Sequence, residues 1–382
     1  MELYKTKKDK DLYYYLNAKG DKRWCYRYRY YDALGKRKEK SQQGFTSEKE
    51  AYKALLEIKA SIINGDVKQV ENSNLTISEW LDIWFETHKN DWKITSQIQR
   101  QNAIKYQMKP LLGKYKLAEL DKTTYKRMYI NELLKKYEPS TVRLFHRLFK
   151  VAVNAAVDSE IIPRNRFTKI TIQGSEELDD NFFTAEELKT FLAVAKRLEN
   201  ITNYTIILLL AYTGLRKGEA LGLTWRNVDF DNKTITVERT RDKRGARPPK
   251  TKNSYRTILI DDSLIYQLKI YRTWCNQTML SFGKHLSDDD FVFISYQSST
   301  PMGENTLKYC FDRITKNADL KPITPHGLRH THATILIGQR IPVKVIAERL
   351  GNTPQMILNI YGHSFKLLEE ESVIAFEKAL HF

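Results

Sequence analysis

Two polar stretches without apolar periodicity divide this chain into three parts, and that division constrains the fold more than any other feature. They are "GDVKQVENSN", residues 65–74, and "GSEELDDN", residues 174–181. A segment without regularly spaced apolar residues has no face to bury against a core, which favours a linker. The chain has 382 residues, more than one domain of about 100–200 residues. We therefore predict three domains, over residues 1–66, 75–170 and 180–382.

The first part predicts a small sheet packed on one helix. Tyrosine and arginine alternate from Tyr26 to Tyr30, and this period of two gives a strand with one aromatic and one cationic face. The segment 32–36, "DALGK", predicts a hairpin loop, and a second basic strand follows it. Ser47 and Glu50 then have the spacing of a capping box before an amphipathic helix. We predict a three-stranded sheet plus this helix.

Charge is the clearest global indication of a partner. The chain carries 63 Lys and Arg against 46 Asp and Glu, a net charge of +17. Such a field favours polyanions, of which nucleic acid is the commonest. The cationic face of the N-terminal sheet is either a solvated surface or a DNA-binding surface, because a sheet of this size can enter a major groove. The candidate DNA-binding residues on this sheet are Arg27, Arg29, Lys36, Arg37 and Lys38.

The middle part predicts a helical bundle. A cap at Thr76 or Ser78 precedes a stripe of apolar residues at helical spacing, and the helical pattern continues to about Val157. Three residues punctuate that pattern into about four helices: Pro110, Gly113 and Pro139.

The last part begins with a capping box formed by Thr184 and Glu187, and it is mainly helical with one hairpin. The segments "KTITVER" and "YRTILI" have strand composition and flank a basic loop. From Arg239 to Arg256 that region holds eight cationic residues and one acid, so it repels itself unless a polyanion lies nearby. The candidate DNA-binding residues there are Arg244, Arg247 and Lys252.

The remaining composition points away from disulfides, metals and membranes. Three cysteines lie far apart without a CxxC pair, which encodes neither a disulfide framework nor a zinc ribbon. His326, His330 and His332 have a spacing that turns the third away from the first two on a helix, and no carboxylate accompanies them. No apolar run approaches the ~20 residues that a bilayer requires. We expect a soluble cytoplasmic protein with no metal, no cofactor and no membrane contact.

Three separated segments of the last part place chemically capable side chains in defined settings. In "AYTGLRKGEALGLTW" an apolar helix breaks at Gly214, Arg216 sits in the turn, and Glu219 is near enough to brace its guanidinium. The basic hairpin presents two lysines, Lys250 and Lys252. Each of these residues by itself has an ordinary structural interpretation as an ion-pair partner or a solvated charge.

The third segment is "TPHGLRHTHAT", in which His326 and Arg329 share one helix face. Tyr361 follows in "RLGNTPQMILNIYGHSF". The full set suits transfer of a phosphodiester without a metal, because two guanidinium groups and an imidazole can stabilise the dianionic transition state. A phenol can form a covalent phospho-enzyme, and a lysine can protonate the departing 5′-oxygen.

These motifs resemble those of tyrosine recombinases of the phage and conjugative-transposon integrase type. The family motif "TGLR.GE...L.W" is matched by residues 213–225, its hairpin lysine by Lys250, and its "H..R" box by His326 and Arg329. The family's "LG(H/W)" element, nine residues before the nucleophile, is matched in spacing by residues 350–352. The resemblance extends over nearly the whole chain, by motif in the last part and by architecture before it.

The resemblance implies a role for each matched residue. Tyr361 is the nucleophile that forms a 3′-phosphotyrosyl link, and Lys250 is the general acid, with Lys252 the alternative. Three residues then bind the scissile phosphate: Arg216, His326 and Arg329. Glu219 supports Arg216. Asn352 departs from the family's His or Trp, although its amide can donate one hydrogen bond to a phosphate oxygen.

The resemblance also implies a fold and partners. The fold is mainly α with small β-sheets: an arm-binding N-terminal domain, a SAM-like helical core-binding domain, and a mixed α/β catalytic domain. Double-stranded DNA is bound at core and arm sites, and a homo-tetramer exchanges strands through a Holliday junction. The C-terminal tail "KLLEEESVIAFEKALHF" either packs in cis or docks on a neighbouring protomer. An excisionase and a host DNA-bending protein are candidate partners.

Two other functions fit the same residues. A DNA-binding accessory protein without catalysis fits the departure at Asn352, although the five other catalytic positions are filled. A type IB topoisomerase or a telomere resolvase uses the same active-site chemistry, but the basic N-terminal sheet favours an arm-binding integrase.

Overall fold

The computed structural model describes residues 2–32, 35–174, 181–249, 251–366, 376–378 and 380, without the side chains of Lys252 and residues 361–366. Its contacts form two compact units, Met1–Ser175 and Glu176–Phe382. The first unit contains two separate hydrophobic cores, one in the N-terminal sheet and one in the helical bundle. The domain boundaries proposed above stay a prediction.

The N-terminal sheet has four antiparallel strands, so the prediction of three was wrong by one. The strands are β1 (Tyr4–Lys5), β2 (Leu12–Leu16), β3 (Lys22–Tyr31) and β4 (Arg37–Phe45), in that spatial order. β1 pairs Tyr4 with Tyr14, whose rings stack at 5.1 Å. Two residues are too few to show alternation, so only the contact with β2 makes β1 a strand.

The two faces of β3 differ as the alternation predicts. Tyr26 and Tyr30 are buried, whereas Arg27 and Arg29 lie on the exposed face. Helix α1 (Glu48–Ile63) covers the aromatic face, and Ser47 caps it by accepting the Glu50 N–H at 3.2 Å.

The predicted first linker contains a short helix, α2 (Val67–Glu71). Val70 is buried, and its carbonyl accepts a 2.8 Å hydrogen bond from Lys40 Nζ on β4. Lys40 also donates to Ser73 Oγ at 2.6 Å. One helical turn is too short for a periodic pattern, so tertiary contacts decided this element.

The helical bundle confirms the prediction of about four helices over residues 75–158, all of which are described. The first is α3 (Ile77–His88), extended by a 3₁₀ turn at Lys89–Asp91, and Thr76 rather than Ser78 caps it in a box with Glu79. The second helix consists of α4 (Ile94–Ala103), a π turn at Ile104–Met108 and α5 (Lys109–Leu112). The third consists of α6 (Lys122–Tyr125), a π turn at Lys126–Ile130 and α7 (Asn131–Leu134). The fourth is α8 (Pro139–Asp158).

Pro110 does not end a helix, contrary to the prediction from sequence. The Lys109 N–H bonds to the carbonyl of Ile104 in the preceding π turn, and Pro110 follows as the second residue of α5. A proline in the first turn of a helix needs no N–H donor, so the π turn makes it acceptable there.

The second unit is mainly helical around small sheets. Its elements are α9 (Ala185–Leu198), α10 (Ile201–Thr213), α11 (Lys217–Leu221), β5 (Val228–Asp229), β6 (Thr234–Val237), β7 (Thr240–Asp242), β8 (Gly245–Arg247), β9 (Arg256–Leu259), α12 (Asp262–Ser281), α13 (Thr306–Ala318), α14 (Pro325–Gly338), α15 (Val343–Leu350) and α16 (Pro354–Lys366). The predicted hairpin strands pair as β6 and β9, with β5 on the other side of β6. The basic loop between them forms a hairpin of its own, β7–β8.

Two cores organise this unit. Helix α10 is buried from Thr205 to Ala211 at the centre of the larger core. A smaller core joins α14, α15 and α16 through residues such as Ile337, Leu350 and Ile357. These cores hold the helices that carry His326, Arg329 and the backbone of Tyr361, and α11, which follows Arg216.

Three further observations concern sites and membranes. Cys25, Cys275 and Cys310 are buried free thiols. In the described part of the chain, no three His, Cys, Asp or Glu side chains are grouped so as to hold a metal ion. Nor does any helix there combine the length and apolarity needed to cross a bilayer.

Candidate active site

Arg216 stands in a tight turn between α10 and α11, where the sequence predicts it. Gly214 ends α10 with φ +64°, in the left-handed region that favours glycine. A Cβ at Gly214 would lie 2.6 Å from Leu350 Cδ2 and 2.9 Å from His332 Cδ2. The turn is therefore packed against the end of α15, and Arg216 opens α11.

Glu219 braces Arg216 through both main chain and side chain. Its Oε1 accepts from Arg216 Nη1 at 2.7 Å, and its Oε2 accepts the Arg216 backbone N–H at 3.0 Å. Burial favours a higher pKa for Glu219, but the charge and hydrogen bond of Arg256, and then those of Arg216, hold the pKa below its ordinary value. Glu219 is 2% exposed and stays a carboxylate.

Asn352 completes the bracing of Arg216 from the turn between α15 and α16. Its Oδ1 accepts from Arg216 Nη2 at 2.8 Å. A guanidinium only donates, so the amide oxygen must face it and the amide nitrogen must point elsewhere. The nitrogen of Asn352 therefore stays a donor for a second group.

Arg329 connects the turn after α10 with the turn after α15. It is 2% exposed, and it donates from Nη1 to the carbonyl of Gly214 at 2.9 Å and from Nη2 to that of Leu350 at 2.6 Å. His326, one turn earlier on α14, is exposed and meets the His330 ring edge-on with centroids 4.7 Å apart. The "H..R" box thus supplies one exposed imidazole and one buried guanidinium.

His332 is a structural histidine that sequence reasoning did not assign. Its Nε2 accepts from Arg349 Nε at 3.0 Å, so Nδ1 carries the proton toward the carbonyl of Ala211, also at 3.0 Å. Burial, followed by the charge of Arg349, lowers the pKa of His332 to about 4. The ring is neutral and supports the end of α10.

Arg256 is the functional candidate that the sequence did not single out. Its Nη2 donates to Glu219 Oε2 at 2.9 Å, so Glu219 is shared by two arginines. In the sequence Arg256 is one of eight cations in the basic loop, with no spacing that distinguishes it.

Three of these residues border an open cleft of about 540 Å³: Arg216, Glu219 and Asn352. Arg216, Asn352 and Thr353 line it, together with Pro249 and Thr251 from the basic loop. Lys250 stands between those two loop residues in the sequence but lies outside the described residues, as does the side chain of Lys252. The backbone of Tyr361 belongs to α16, one turn after buried Ile357, and its side chain also lies outside the description.

The candidate DNA-binding residues fall into two groups. Arg27 and Arg29 pair with Glu39 at 2.9 and 3.1 Å, and Arg247 pairs with Asp242 through two contacts of 2.8 and 2.5 Å. The Arg247 hydrogen bonds hold the pKa of Asp242 well below its usual range, so this pair stabilises the β7–β8 hairpin. Four other members are exposed like Arg27 and Arg29, and Lys38 among them lies 4.0 Å from Asp32 Oδ2: Lys36, Arg37, Lys38 and Arg244. Most of the predicted C-terminal tail helix lies outside the described residues, and Phe376 and Leu380 are exposed.

Sequence comparison extends these observations to the whole chain. The profile of the phage integrase family matches residues 181–367. The chain belongs to the phage integrase family. An arm DNA-binding domain profile matches residues 12–62, and the N-terminal SAM-like domain of phage integrases matches residues 76–134. The three predicted domain types and their order are thereby confirmed.

A tyrosine recombinase XerC-like protein of Caldanaerobacter subterraneus subsp. tengcongensis is 33% identical over 259 residues, 62% of this chain and 65% of that protein. An ICEBs1 integrase of Bacillus subtilis (strain 168) is 28% identical over 225 residues, 57% of this chain and 60% of that protein. The matches therefore span less than two thirds of the length of these two relatives.

Solved structures of integrases share the fold. A Tn1549 transposon integrase in complex with transposon right end DNA has a TM-score of 0.66 at 20% identity, covering 78% of this chain and 99% of that one. A lambda integrase tetramer bound to a Holliday junction has a TM-score of 0.56 at 19% identity, covering 91% and 97%.

Proposed function

We propose that this integrase-family chain is a site-specific DNA recombinase that integrates and excises a mobile element. The observation that carries the proposal is the Arg216 guanidinium, which Glu219 and Asn352 orient at the edge of an open cleft. Preorganised cationic donors are what a phosphoryl-transfer transition state requires, because its charge spreads over the non-bridging oxygens.

In the proposed reaction the Tyr361 oxygen attacks the scissile phosphorus and the 5′-oxygen of the next nucleotide leaves. As the phosphorus–phenol bond forms, the phenol gives up its proton to water and the phosphorus–5′-oxygen bond breaks, so a 3′-phosphotyrosyl link and a free 5′-hydroxyl result. Lys250 protonates the leaving oxygen, with Lys252 the alternative donor. Rejoining is the reverse reaction with a 5′-hydroxyl of the partner strand, so no external energy source is consumed.

Arg216, Arg329 and His326 are proposed to stabilise the phosphate. Arg216 combines a fixed direction with access to the cleft, which suits it to direct contact with the non-bridging oxygens. Arg329 is buried with two carbonyl partners, so its share includes holding the turns that carry Arg216 and Asn352. The amide nitrogen of Asn352 is proposed to donate one hydrogen bond at the position where the family motif has His or Trp.

The proposed partners are double-stranded DNA at core and arm sites and three further copies of this chain. The arm DNA-binding profile and the lambda integrase tetramer on a Holliday junction support this assembly. The C-terminal tail is proposed to dock on a neighbouring protomer, and an excisionase and a host DNA-bending protein are proposed to set the direction. The proposed location is the cytoplasm of a bacterial host.

One assay tests the function. The protein is incubated with DNA from the ends of its element, nicked near the cleavage point so that rejoining fails, and run on a denaturing gel. We expect a covalent protein–DNA complex that persists in EDTA and is lost in Tyr361→Phe. Tyr266→Phe is the matched control, because that tyrosine is 68% exposed on α12 of the same unit. A wild-type protein that binds this DNA without forming a complex contradicts the proposal.

The two alternative functions give different results in the same assay. An accessory DNA-binding protein gives no covalent complex. A topoisomerase or a telomere resolvase gives the complex but does not exchange strands between two supplied sites. Filled positions at Arg216, His326, Arg329 and Tyr361 favour catalysis over an accessory role, and the arm DNA-binding domain favours recombination over relaxation.

A further inference from the structure

Arg256 joins three segments of the candidate active site. Its side chain is 7% exposed, and Nη2 donates to Glu219 Oε2 at 2.9 Å. Nε donates to the carbonyl of Arg349 at 2.7 Å, and Nη1 donates to that of Ser254 at 3.0 Å. One buried guanidinium thus connects α11, the end of α15 and the loop that precedes β9.

Its contact with α15 sets the turn that carries Asn352. Arg349 and Leu350 are the last residues of α15, and carbonyls at a helix C-terminus lack partners within the helix. Arg256 takes the carbonyl of Arg349, and Arg329 takes that of Leu350. A cation is also favoured at the negative end of the helix dipole. Two arginines on adjacent carbonyls therefore fix the direction in which the chain continues to Asn352.

Gly351 shows how closely Arg256 and this turn are packed. Gly351 has φ +65°, and a Cβ there would lie 2.8 Å from Arg256 Nη1 and 2.9 Å from the carbonyl oxygen of Asn253. The guanidinium occupies the space that a side chain at position 351 would need. The turn and Arg256 can therefore shift only together.

Arg256 also sets the charge of the cluster. Arg216 and Glu219 alone would sum to zero, whereas two arginines on one carboxylate leave a net charge of +1. Because the cluster is largely buried, that charge is screened less than a surface charge would be. An approaching phosphodiester therefore meets a positive field as well as an oriented donor.

We propose that Arg256 is a positioning residue of the phosphate-binding site. It holds Glu219 and the Asn352 turn, and through them it fixes the direction of Arg216 and keeps the site cationic. It touches no DNA itself. This inference rests on the proposed function, because its readout is strand cleavage.

The test compares Arg256→Gln and Arg256→Lys with the wild-type chain on the nicked DNA. For each protein the DNA affinity, the single-turnover rate of covalent complex formation and the melting temperature are measured. We expect Arg256→Gln to slow cleavage on the order of 10- to 100-fold, with DNA affinity changed by no more than about 3-fold. Arg256→Lys keeps the charge without the forked geometry, so its cleavage rate should lie between those of the wild type and Arg256→Gln.

Arg313→Gln is the matched control. Arg313 donates to the Glu199 carboxylate at 2.8 and 2.7 Å, so this variant also removes an arginine from a buried glutamate of the same unit. Its cleavage rate should stay within about 2-fold of wild type. A loss as large as that of Arg256→Gln would assign the effect to stability and overturn the proposal.

A double-mutant cycle separates positioning from general structural support. If Arg256 acts through Glu219, the defects of Arg256→Gln and Glu219→Gln overlap, so the double variant is much less impaired than their product predicts. Multiplying defects, or a wild-type cleavage rate in Arg256→Gln, overturn the inference while leaving the proposed function intact. If Arg256→Gln does not fold, Arg256→Lys decides: slowed cleavage in a folded protein supports the role, and an unchanged rate rejects it. A wild-type chain that never forms the complex rejects the proposed function, and this inference with it.

Discussion

Two clusters in this chain have the same composition, one glutamate shared by two arginines, in opposite environments. The Glu39 cluster (Arg27, Arg29, Glu39) lies on the open face of the N-terminal sheet, where the side chains are 48%, 60% and 28% exposed. Water and salt screen such pairs, which contribute about 0–1 kcal/mol to stability. The arginines can therefore exchange Glu39 for a DNA phosphate at little cost.

The Glu219 cluster (Arg216, Arg256, Glu219) lies in the candidate active site, where the side chains are 36%, 7% and 3% exposed. A buried charge that loses its partner is costly, so the arrangement is rigid. Of the two arginines, Arg216 lines the cleft and Arg256 does not. The comparison teaches that burial, and not the set of residues, separates an adaptable cationic surface from a fixed one.

The largest expected effect follows from removing the carboxylate of the buried cluster. Glu219→Gln leaves two guanidinium groups facing each other with no counter-charge, and we expect the free energy of unfolding of the second unit to fall by about 3–5 kcal/mol. Denaturant unfolding measures this, with Glu39→Gln as the exposed counterpart, expected to change by less than about 1 kcal/mol. Equal losses in the two variants would contradict the distinction between the clusters.

Acid should lower the stability of the second unit through His332 before it protonates Glu39 or Glu219. The pKa values of Glu39 and Glu219 are lowered, so both stay ionised between pH 7 and pH 5. His332 has a pKa of about 4 in the fold against about 6.5 in the unfolded chain, so the unfolded chain binds more protons in this window. The stabilisation is complete above about pH 6.5 and is lost as the pH falls toward 4.

We therefore expect the free energy of unfolding of the second unit to fall by about 2 kcal/mol from pH 7 to pH 5. Denaturant titrations across this range measure the slope. His332→Gln should flatten it, since glutamine does not titrate. An unchanged slope in that variant would show that His332 is not the group responsible.

The turn at Asn352 contacts the buried cluster through Arg216, and its effect on the proposed cleavage is expected to be smaller. Asn352→Ala removes the acceptor of Arg216 Nη2 and the donor proposed for phosphate, so we expect cleavage of nicked DNA to slow about 10-fold. Asn352→His can accept from Arg216 at one ring nitrogen and donate at the other, so its rate should equal or exceed wild type. If Asn352→Ala cleaves normally, position 352 has no share in catalysis.

The smallest effect is expected at the exposed cluster. Glu39→Gln removes a negative charge from the sheet face and releases Arg27 and Arg29 for phosphate, so affinity for arm-site DNA should rise about 3-fold at low salt, with a steeper salt dependence. Binding titrations at several salt concentrations measure this. Glu57→Gln on α1 makes the same change of net charge away from that face and serves as control. An equal gain in DNA affinity in both variants would show that net charge alone causes the effect.

Much of the fold could be predicted because local patterns encode it. The Tyr–Arg alternation of β3, the capping residues Thr76 and Thr184, and the paired strands β6 and β9 all hold as predicted. The prediction missed strand β1 and helix α2 for one reason. Both are too short to carry a periodic pattern, and tertiary contacts form them. The prediction that Pro110 separates two helices was wrong for a related reason, because no local sequence pattern indicates the π turn before it.

The sequence alone determined which groups are candidates for phosphate chemistry, because motif spacing places Arg216 in a turn and Arg329 one helical turn after His326. Tertiary structure decided how those groups are held. Residues more than a hundred positions apart meet as Arg216 with Asn352 and Arg329 with Gly214, and one arginine among eight in a basic loop reaches Glu219. Spacing along a chain reports local geometry only, whereas burial and the sharing of one carboxylate by two arginines arise when distant segments pack.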